Sequence, residues 1–289
     1  MMTVAAGLAK QGLIPVTSTY GVFASGRCWD QIRTTLCYSN MNVKIAGAHG
    51  GISVGPDGAT HQSLEEISLM SVLPNMHVAV PCDALETERA TMHCLLQAVG
   101  PAYIRFAREA TPVVTKPQSP FRFGLANVIR YRGPQPRFMD AFETFLSTDY
   151  SDEGEDASIV ACGPMVTEAM RAAWLLKEER GLETRVVNVH TVKPLDTAAL
   201  VQAAEQTHLM VTAEEHQVGG FGNIVAGAIL CHRQNSEAPL LFDMLGVDDR
   251  FGLSGKPWHL VRAFGLSAEH IAERVLRLHE RQPVAMGRW

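Results

Sequence analysis

Along the chain, short apolar runs alternate with longer stretches whose apolar residues recur every three or four positions. The short runs read as strands at 14–19 (IPVTST), 43–48 (VKIAGA), 76–81 (MHVAVP), 102–108 (AYIRFAR), 157–163 (ASIVACG), 184–189 (TRVVNV) and 208–213 (HLMVTA). The longer ones predict helices at 26–39, 63–73, 83–99, 164–181, 222–234 and 267–281, after an opening helix stopped by Gly12. Ser63 with Glu66, and Asp83 with Glu86, have the spacing of capping boxes. Pro164 and Gly181 bracket a helix in the favoured order. Such alternation predicts parallel sheets wrapped by helices. It breaks between Thr111 and Asp156, where prolines, FRFGLANVIRYRG and the acidic DYSDEGED intervene, a stretch that reads as a crossing linker with a small hairpin and a helix. The expected organisation is therefore two α/β domains, 1–115 and 157–289, joined by a crossing linker, 116–156.

Composition narrows the functional classes. The chain has 289 residues with a net charge of −5, so it presents no basic field for nucleic acid or anionic lipid. Its charged fraction of 19% is low, a hint that a partner covers part of the surface. Six cysteines without a CxxC pair predict reduced, buried thiols and a cytoplasmic setting. No apolar run reaches the length of a membrane span, and the opening MMTVAAGLAKQG is not a signal peptide. A P-loop, HExxH, G-x-S-x-G and a Gly-Asp-Gly metal loop are all missing. GGFGNIVAG has the wrong spacing for a dinucleotide fingerprint, and EEH (214–216) lacks a second ligand at metal spacing.

The segment GAHGGISVGPDGATHQ (47–62) follows a strand directly and has little bulk. At the carboxyl end of a parallel strand, such a loop can take backbone close to a ligand, with His49, Asp57 and His61 projecting from it. A histidine there can move a proton and an aspartate can hold a hydroxyl. A flexible surface loop with incidental polar residues is the alternative. Tyr20 and Phe23, just past another strand, form either a flat wall for a heteroaromatic ring or part of the core. Arg105 and Arg108 near a third strand end are either anion anchors or ordinary surface arginines.

Taken together, these segments resemble the transketolase family. AHGGISVGPDGATHQ, followed by LPNMHVAVPCDALET, is similar to the loop of its pyrimidine-binding domain. TSTYGVF, PAYIRFAREATPV, VVNVHTVKPLD, VTAEEHQVGGFGNIVAGAI and VDDRFGLSGKP extend the likeness over essentially the whole chain. The resemblance implies a thiamine diphosphate-type pyrimidine domain followed by a transketolase carboxyl-terminal domain. It implies that Tyr20 and Phe23 contact the pyrimidine ring and that His61 assists proton transfer at the reacting carbons. Asp57 would then recognise a substrate hydroxyl, and His49 and Arg108 a sugar phosphate. Tyr20 stands where the family more often has Phe.

The family's diphosphate- and Mg²⁺-binding domain has no counterpart in the sequence. The resemblance is thus to the carboxyl-terminal section of a split transketolase. It implies an amino-terminal partner subunit that holds Mg²⁺ and shares thiamine diphosphate, and homodimerisation within a heterotetramer. The implied activity is ketol transfer between sugar phosphates, as in the pentose phosphate pathway. Met1 and Met2 align with a family Met-Met pair, which places the activating Glu and the domain's first strand and helix upstream. Either the start lies further upstream or the subunit is truncated, and the isolated chain is expected to be inactive. The rival readings are a deoxyxylulose-phosphate synthase-like chain, the β subunit of a 2-oxo-acid dehydrogenase, and a non-catalytic assembly subunit.

Overall fold

The computed structural model describes residues 1–233 and 238–282. Two α/β units follow each other. The first opens with helix α1 (Met2–Lys10), which has no side-chain cap, and turns at Gly12 with φ +87°. Strands β1 (Val16–Tyr20), β2 (Lys44–Ala48), β3 (His77–Ala79) and β4 (Ala102–Phe106) form a parallel sheet in the order β1-β2-β4-β3. Its register aligns the strand ends, with Tyr20 opposite Ala48 and Ala48 opposite Phe106. Everything attached just beyond those three residues therefore converges on one rim.

The segment expected as a helix over 26–39 begins earlier and is wider. It runs as a π-helix Val22–Arg27, a short α2 (Trp29–Gln31) and a second π-helix Ile32–Cys37. The cause lies in its hydroxyls. Ser25, Thr34 and Thr35 each donate to the carbonyl four residues back, at 2.8, 2.7 and 2.5 Å, and so compete with the helical ladder. The predicted helix 63–73 shortens to α3 (Glu66–Ser71), and its Ser63/Glu66 box does not form. Glu66 is drawn inward instead. Helix α4 (Ala84–Leu96) does start on Asp83, which accepts from the Glu86 amide at 2.9 Å.

In the segment between the two units, β5 (Asn127–Tyr131) and β6 (Phe142–Leu146) make the expected hairpin, but the expected helix is reduced to 3₁₀ turns at Phe138–Ala141 and Ser147–Asp149. The hairpin joins the second sheet by pairing antiparallel with β8 (Thr184–Asn188). The acidic run is folded onto that sheet by arginines, Arg130 and Arg185 both meeting Glu155. Alongside lie β7 (Ala157–Ala161), β10 (Leu209–Gln217) and β11 (Leu241–Val247), giving the order β11-β10-β7-β8-β5-β6. Helix α5 (Met165–Arg180) ends on left-handed Gly181, as expected. Helices α6 (Thr197–Thr207), α7 (Phe221–His232), α8 (Pro257–Ala263) and α9 (Ala268–His279) complete the unit. The expected helix 222–234 reaches a residue outside the described ones.

The units are not independent. Strand β9 (Thr191–Lys193) leaves the second unit and pairs antiparallel with β3, extending the first sheet to five strands. Glu86 crosses the same seam to accept from Asn188 Nδ2 at 2.8 Å. Val78, Val80 and Tyr103 of the first unit share one apolar cluster with Val160, Val187 and Val189 of the second. Ile52 and Leu64, which flank the loop's polar residues, sit in the core of the second unit. None of the described helices is long and apolar enough to cross a membrane.

Candidate active site

The rim formed by the ends of β1, β2 and β4 gathers Tyr20, Phe23, His49, Asp57, His61 and Arg108. His49 follows β2 directly, and Arg108 lies two residues beyond β4. Tyr20 ends β1, and Phe23 sits in the first π-turn. The rings of Tyr20 and Phe23 lie 6.0 Å apart and within 15° of parallel, and His49 stacks on Tyr20 at 4.2 Å. His61 stands edge-on to both aromatic rings, at 5.5 Å from each. Thr60 Oγ1 and His61 Nδ1 are 2.8 Å apart, which fixes the imidazole's orientation. Arg108 donates to the Val54 carbonyl at 2.7 Å and faces Asp57 across 3.8 Å. That ion pair is partly open to water and therefore weak, so either member can turn to a ligand.

Burial lowers the pKa of His49 below the usual histidine value, and Arg108 lowers it further, against Asp57 and Glu109. The ring is thus held neutral near pH 7. Its Nδ1 is buried without a hydrogen-bond partner. Two near-parallel, half-buried rings beside an unsatisfied ring nitrogen fit a flat heteroaromatic group that carries a polar edge. A pyrimidine has that form. No group of three His, Cys, Asp or Glu side chains among the described residues is placed to hold a metal ion.

The loop itself is neither flexible filler nor bare. Residues Ile52–Asp57 form 3₁₀ turns, and Ile52, Ser53, Val54 and Gly55 are buried. Beneath it lies a cluster of charges that the sequence reading did not find. Arg105 is fully buried. Its Nη2 donates to the Gly50 carbonyl and to Glu215 Oε1, and its Nε lies 3.5 Å from Glu66 Oε1. Glu66 also accepts from the Tyr103 hydroxyl and meets His216 Nε2 at 3.2 Å. Burial alone would lower the Arg105 pKa, but Glu215 and Glu66 more than offset it, so the guanidinium stays charged. Burial, and then Glu66, push the Tyr103 hydroxyl well up.

Gly50 and Gly51 owe their identity to this cluster. A Cβ on Gly50 would overlap Glu66 Oε1 and Arg105 Nε, and one on Gly51 would overlap the Glu215 carboxylate. Of the two arginines read together from β4, only Arg108 faces the rim. The sequence signals for the cluster were EEH near the end of β10 and Arg105 within an otherwise apolar strand.

This architecture, an open parallel sheet with an aromatic and histidine rim followed by a mixed sheet, defines a two-domain protein of the thiamine diphosphate-enzyme type. Residues 1–113 match the transketolase pyrimidine-binding domain and residues 147–271 the transketolase carboxyl-terminal domain. A putative transketolase C-terminal section from Methanocaldococcus jannaschii is 35% identical, over 96% of this chain and 78% of that one. A 6-deoxy-6-sulfo-D-fructose transketolase subunit from a Clostridium species is 36% identical, over 98% and 79%. A 1-deoxy-D-xylulose-5-phosphate synthase from Trichormus variabilis is 32% identical, but the chain spans only 41% of it. Among solved structures, a split-gene transketolase described as an inactive β4 tetramer superposes with a TM-score of 0.80 at 37% identity, covering 98% of this chain and 82% of that one. The chain belongs to the transketolase family, and within it resembles the carboxyl-terminal chains of split enzymes. The family implies dependence on thiamine diphosphate.

Proposed function

We propose that this chain is the carboxyl-terminal subunit of a split transketolase. With an amino-terminal partner subunit it transfers a two-carbon ketol unit from a ketose phosphate to an aldose phosphate. The observation that carries this reading is the convergence of Tyr20, Phe23, His49, Asp57, His61 and Arg108 on one rim. They arrive there from three strand ends and a loop that is itself buried and braced.

Thiamine diphosphate, when bound, supplies the electron sink that lets the bond beside the ketose carbonyl break. Tyr20 and Phe23 would hold its pyrimidine ring by stacking. His61, oriented by Thr60 through Nδ1, would pass a proton through Nε2 to and from the sugar oxygens at the reacting carbons. Asp57 would accept from a substrate hydroxyl. Neutral His49 keeps one N–H to donate to a phosphate oxygen, and Arg108 would supply the charge. The partner would hold the diphosphate and its Mg²⁺. Self-association, which would take place within a heterotetramer, is supported by the β4 assembly of the solved relative only so far as copies of the chain pair with each other. A cytoplasmic setting belongs to the same proposal.

The test is ketol transfer between sugar phosphates by the co-purified subunits with thiamine diphosphate and Mg²⁺. A complex that binds the cofactor yet transfers nothing sinks the reading. The likeness to a deoxyxylulose-phosphate synthase supports a second one. Release of CO2 from pyruvate by the same complex would favour it.

A further inference from the structure

The loop from His49 to His61 belongs by sequence to the first domain, yet the second domain grips it on both sides of its polar residues. On one side, Glu215 Oε2 accepts from the Ser53 amide at 2.9 Å, while Oε1 takes Arg105, which itself holds the Gly50 carbonyl. Ile52 is buried in the second domain's core. On the other side, the Gln217 amide donates to the Leu64 carbonyl at 2.9 Å. Gln62 Nε2 donates to the Leu253 carbonyl, also at 2.9 Å. Pro257, at the start of α8, packs under Gly55. His49 and the span carrying Asp57 and His61 are left to face the rim. A backbone pinned this closely to a buried charge pair has little freedom to tilt.

We propose that Glu215 and Arg105 are positioning residues, through which the carboxyl-terminal domain sets the height of the loop that presents His49, Asp57 and His61. Neither touches the rim. They act through the Ser53 amide and the Gly50 carbonyl, one on each side of Gly51 and Ile52. This rests on the reading of the loop as catalytic, but its structural half stands apart from that reading. The adjacent Glu214 is the natural control. It lies on the same strand, but it caps α7 by accepting from the Phe221 and Gly222 amides at 2.7 and 2.9 Å, away from the loop.

The experiment compares Glu215→Gln, Glu215→Asp and Glu214→Gln with the unaltered full chain. Three quantities are measured: amide hydrogen exchange at 50–55 against exchange in β7, the His49 titration by NMR, and kcat and KM in the two-subunit enzyme. Glu215→Gln should speed exchange at Ser53 about tenfold more than in β7, the loss of one charge-assisted hydrogen bond. It should also move the His49 titration upward, because a lifted loop admits water around a ring now held down by burial and by Arg108 among its neighbours Asp57, Glu109 and Tyr20. In the enzyme, kcat should fall about tenfold and KM for the ketose phosphate should rise with it, because His49 and Asp57 move together with His61. Glu215→Asp keeps the charge but is a methylene short, so it should fall between, and it serves if the Gln variant folds poorly. Glu214→Gln should lower overall stability without singling out the loop or kcat.

Exchange at 50–55 rising no more than in β7 would overturn the proposal. So would a freed loop with unchanged kcat. If the unaltered two-subunit enzyme transfers no ketol unit, the functional reading fails by itself. Exchange and the His49 titration then still decide whether Glu215 sets the loop.

Discussion

The loop has two faces, and they follow different rules. On its rim, Arg108 sits 28% exposed and 3.8 Å from Asp57, among aromatic rings half open to water. On its floor, Arg105, three residues earlier in the chain, is 0% exposed and held between two carboxylates and a carbonyl. Local geometry separates them, since Arg105 lies within β4 and turns under the loop, whereas Arg108 sits in the bend just beyond the strand. Rim charges cost little to keep and are free to be recruited. Floor charges are tolerable only while each has its partner. The rim is therefore where a ligand can be met, and the floor is what keeps the rim in place.

The sharpest way to break that contrast is to remove the floor's cation. Arg105→Met leaves Glu66 and Glu215 buried without it, and the expected loss is about 3–5 kcal/mol, checked by urea unfolding of the full chain. Arg108→Met should cost no more than about 1 kcal/mol. Similar losses for the two would erase the distinction.

The rim should respond in rate rather than stability. In the two-subunit enzyme, His61→Ala should lower kcat on the order of 10²-fold or more, the usual contribution of a positioned acid–base group. Arg108→Ala should mainly raise KM for phosphorylated sugars, on the order of tenfold, and spare kcat. Steady-state kinetics with phosphorylated and unphosphorylated ketoses separate the two effects. If neither substitution changes them, the roles assigned from the family likeness are wrong.

Much of the rim was legible in the sequence and almost none of the floor. His49, Asp57 and His61 lie within one loop, and Tyr20 with Phe23 within four residues, so proximity in sequence already implied proximity in space. The floor joins residues 37 to 162 positions apart: Tyr103 to Glu66, Arg105 to Glu215, Glu66 to His216 and Ser53 to Glu215. No periodicity records such pairs, and Glu66 was misread as a helix cap because its spacing from Ser63 fits one. Strand β9, three residues lent across the seam, is too short for any pattern to register. Helix α6 went unread although Asp196 caps it by accepting from the Ala199 amide, and β11 went unread because Asp243 interrupts its apolar run. The wide helix after β1 reads as an ordinary amphipathic one. Only the hydroxyl bonds to carbonyls four residues back reveal why it is wider.

Glu86 sharpens the comparison from another side, being buried at the domain seam with no cation among the described residues facing it. It accepts from the Cys82 amide and from Asn188, but burial dominates and pushes its pKa up from 4.5 to about 7. A carboxyl whose pKa is raised on folding binds more protons folded than unfolded between those two values. Its contribution is therefore fully present below about pH 4.5 and declines as pH rises through about 7. Urea midpoints measured from pH 5 to 8.5 should show the unaltered chain losing stability relative to Glu86→Gln as pH increases. A flat difference would mean that the carboxyl stays ionised throughout, and that burial without a facing cation is less costly here than the floor's pairing suggests.

The smallest expected effect tests whether Tyr20 belongs to the rim by its face or by its hydroxyl. Its ring is stacked by His49, flanked by Phe23 and met edge-on by His61. A stacking wall needs a flat apolar face, which Tyr20→Phe preserves. Thiamine diphosphate affinity in the two-subunit complex, measured by calorimetry, should then change by less than about twofold, while Tyr20→Ala should weaken it by about tenfold through loss of the ring. A large effect of Tyr20→Phe would show that the hydroxyl bonds a polar group of the ligand. Tyr20 would then contribute a specific contact to the rim, as Asp57 and Arg108 are expected to do, rather than a surface.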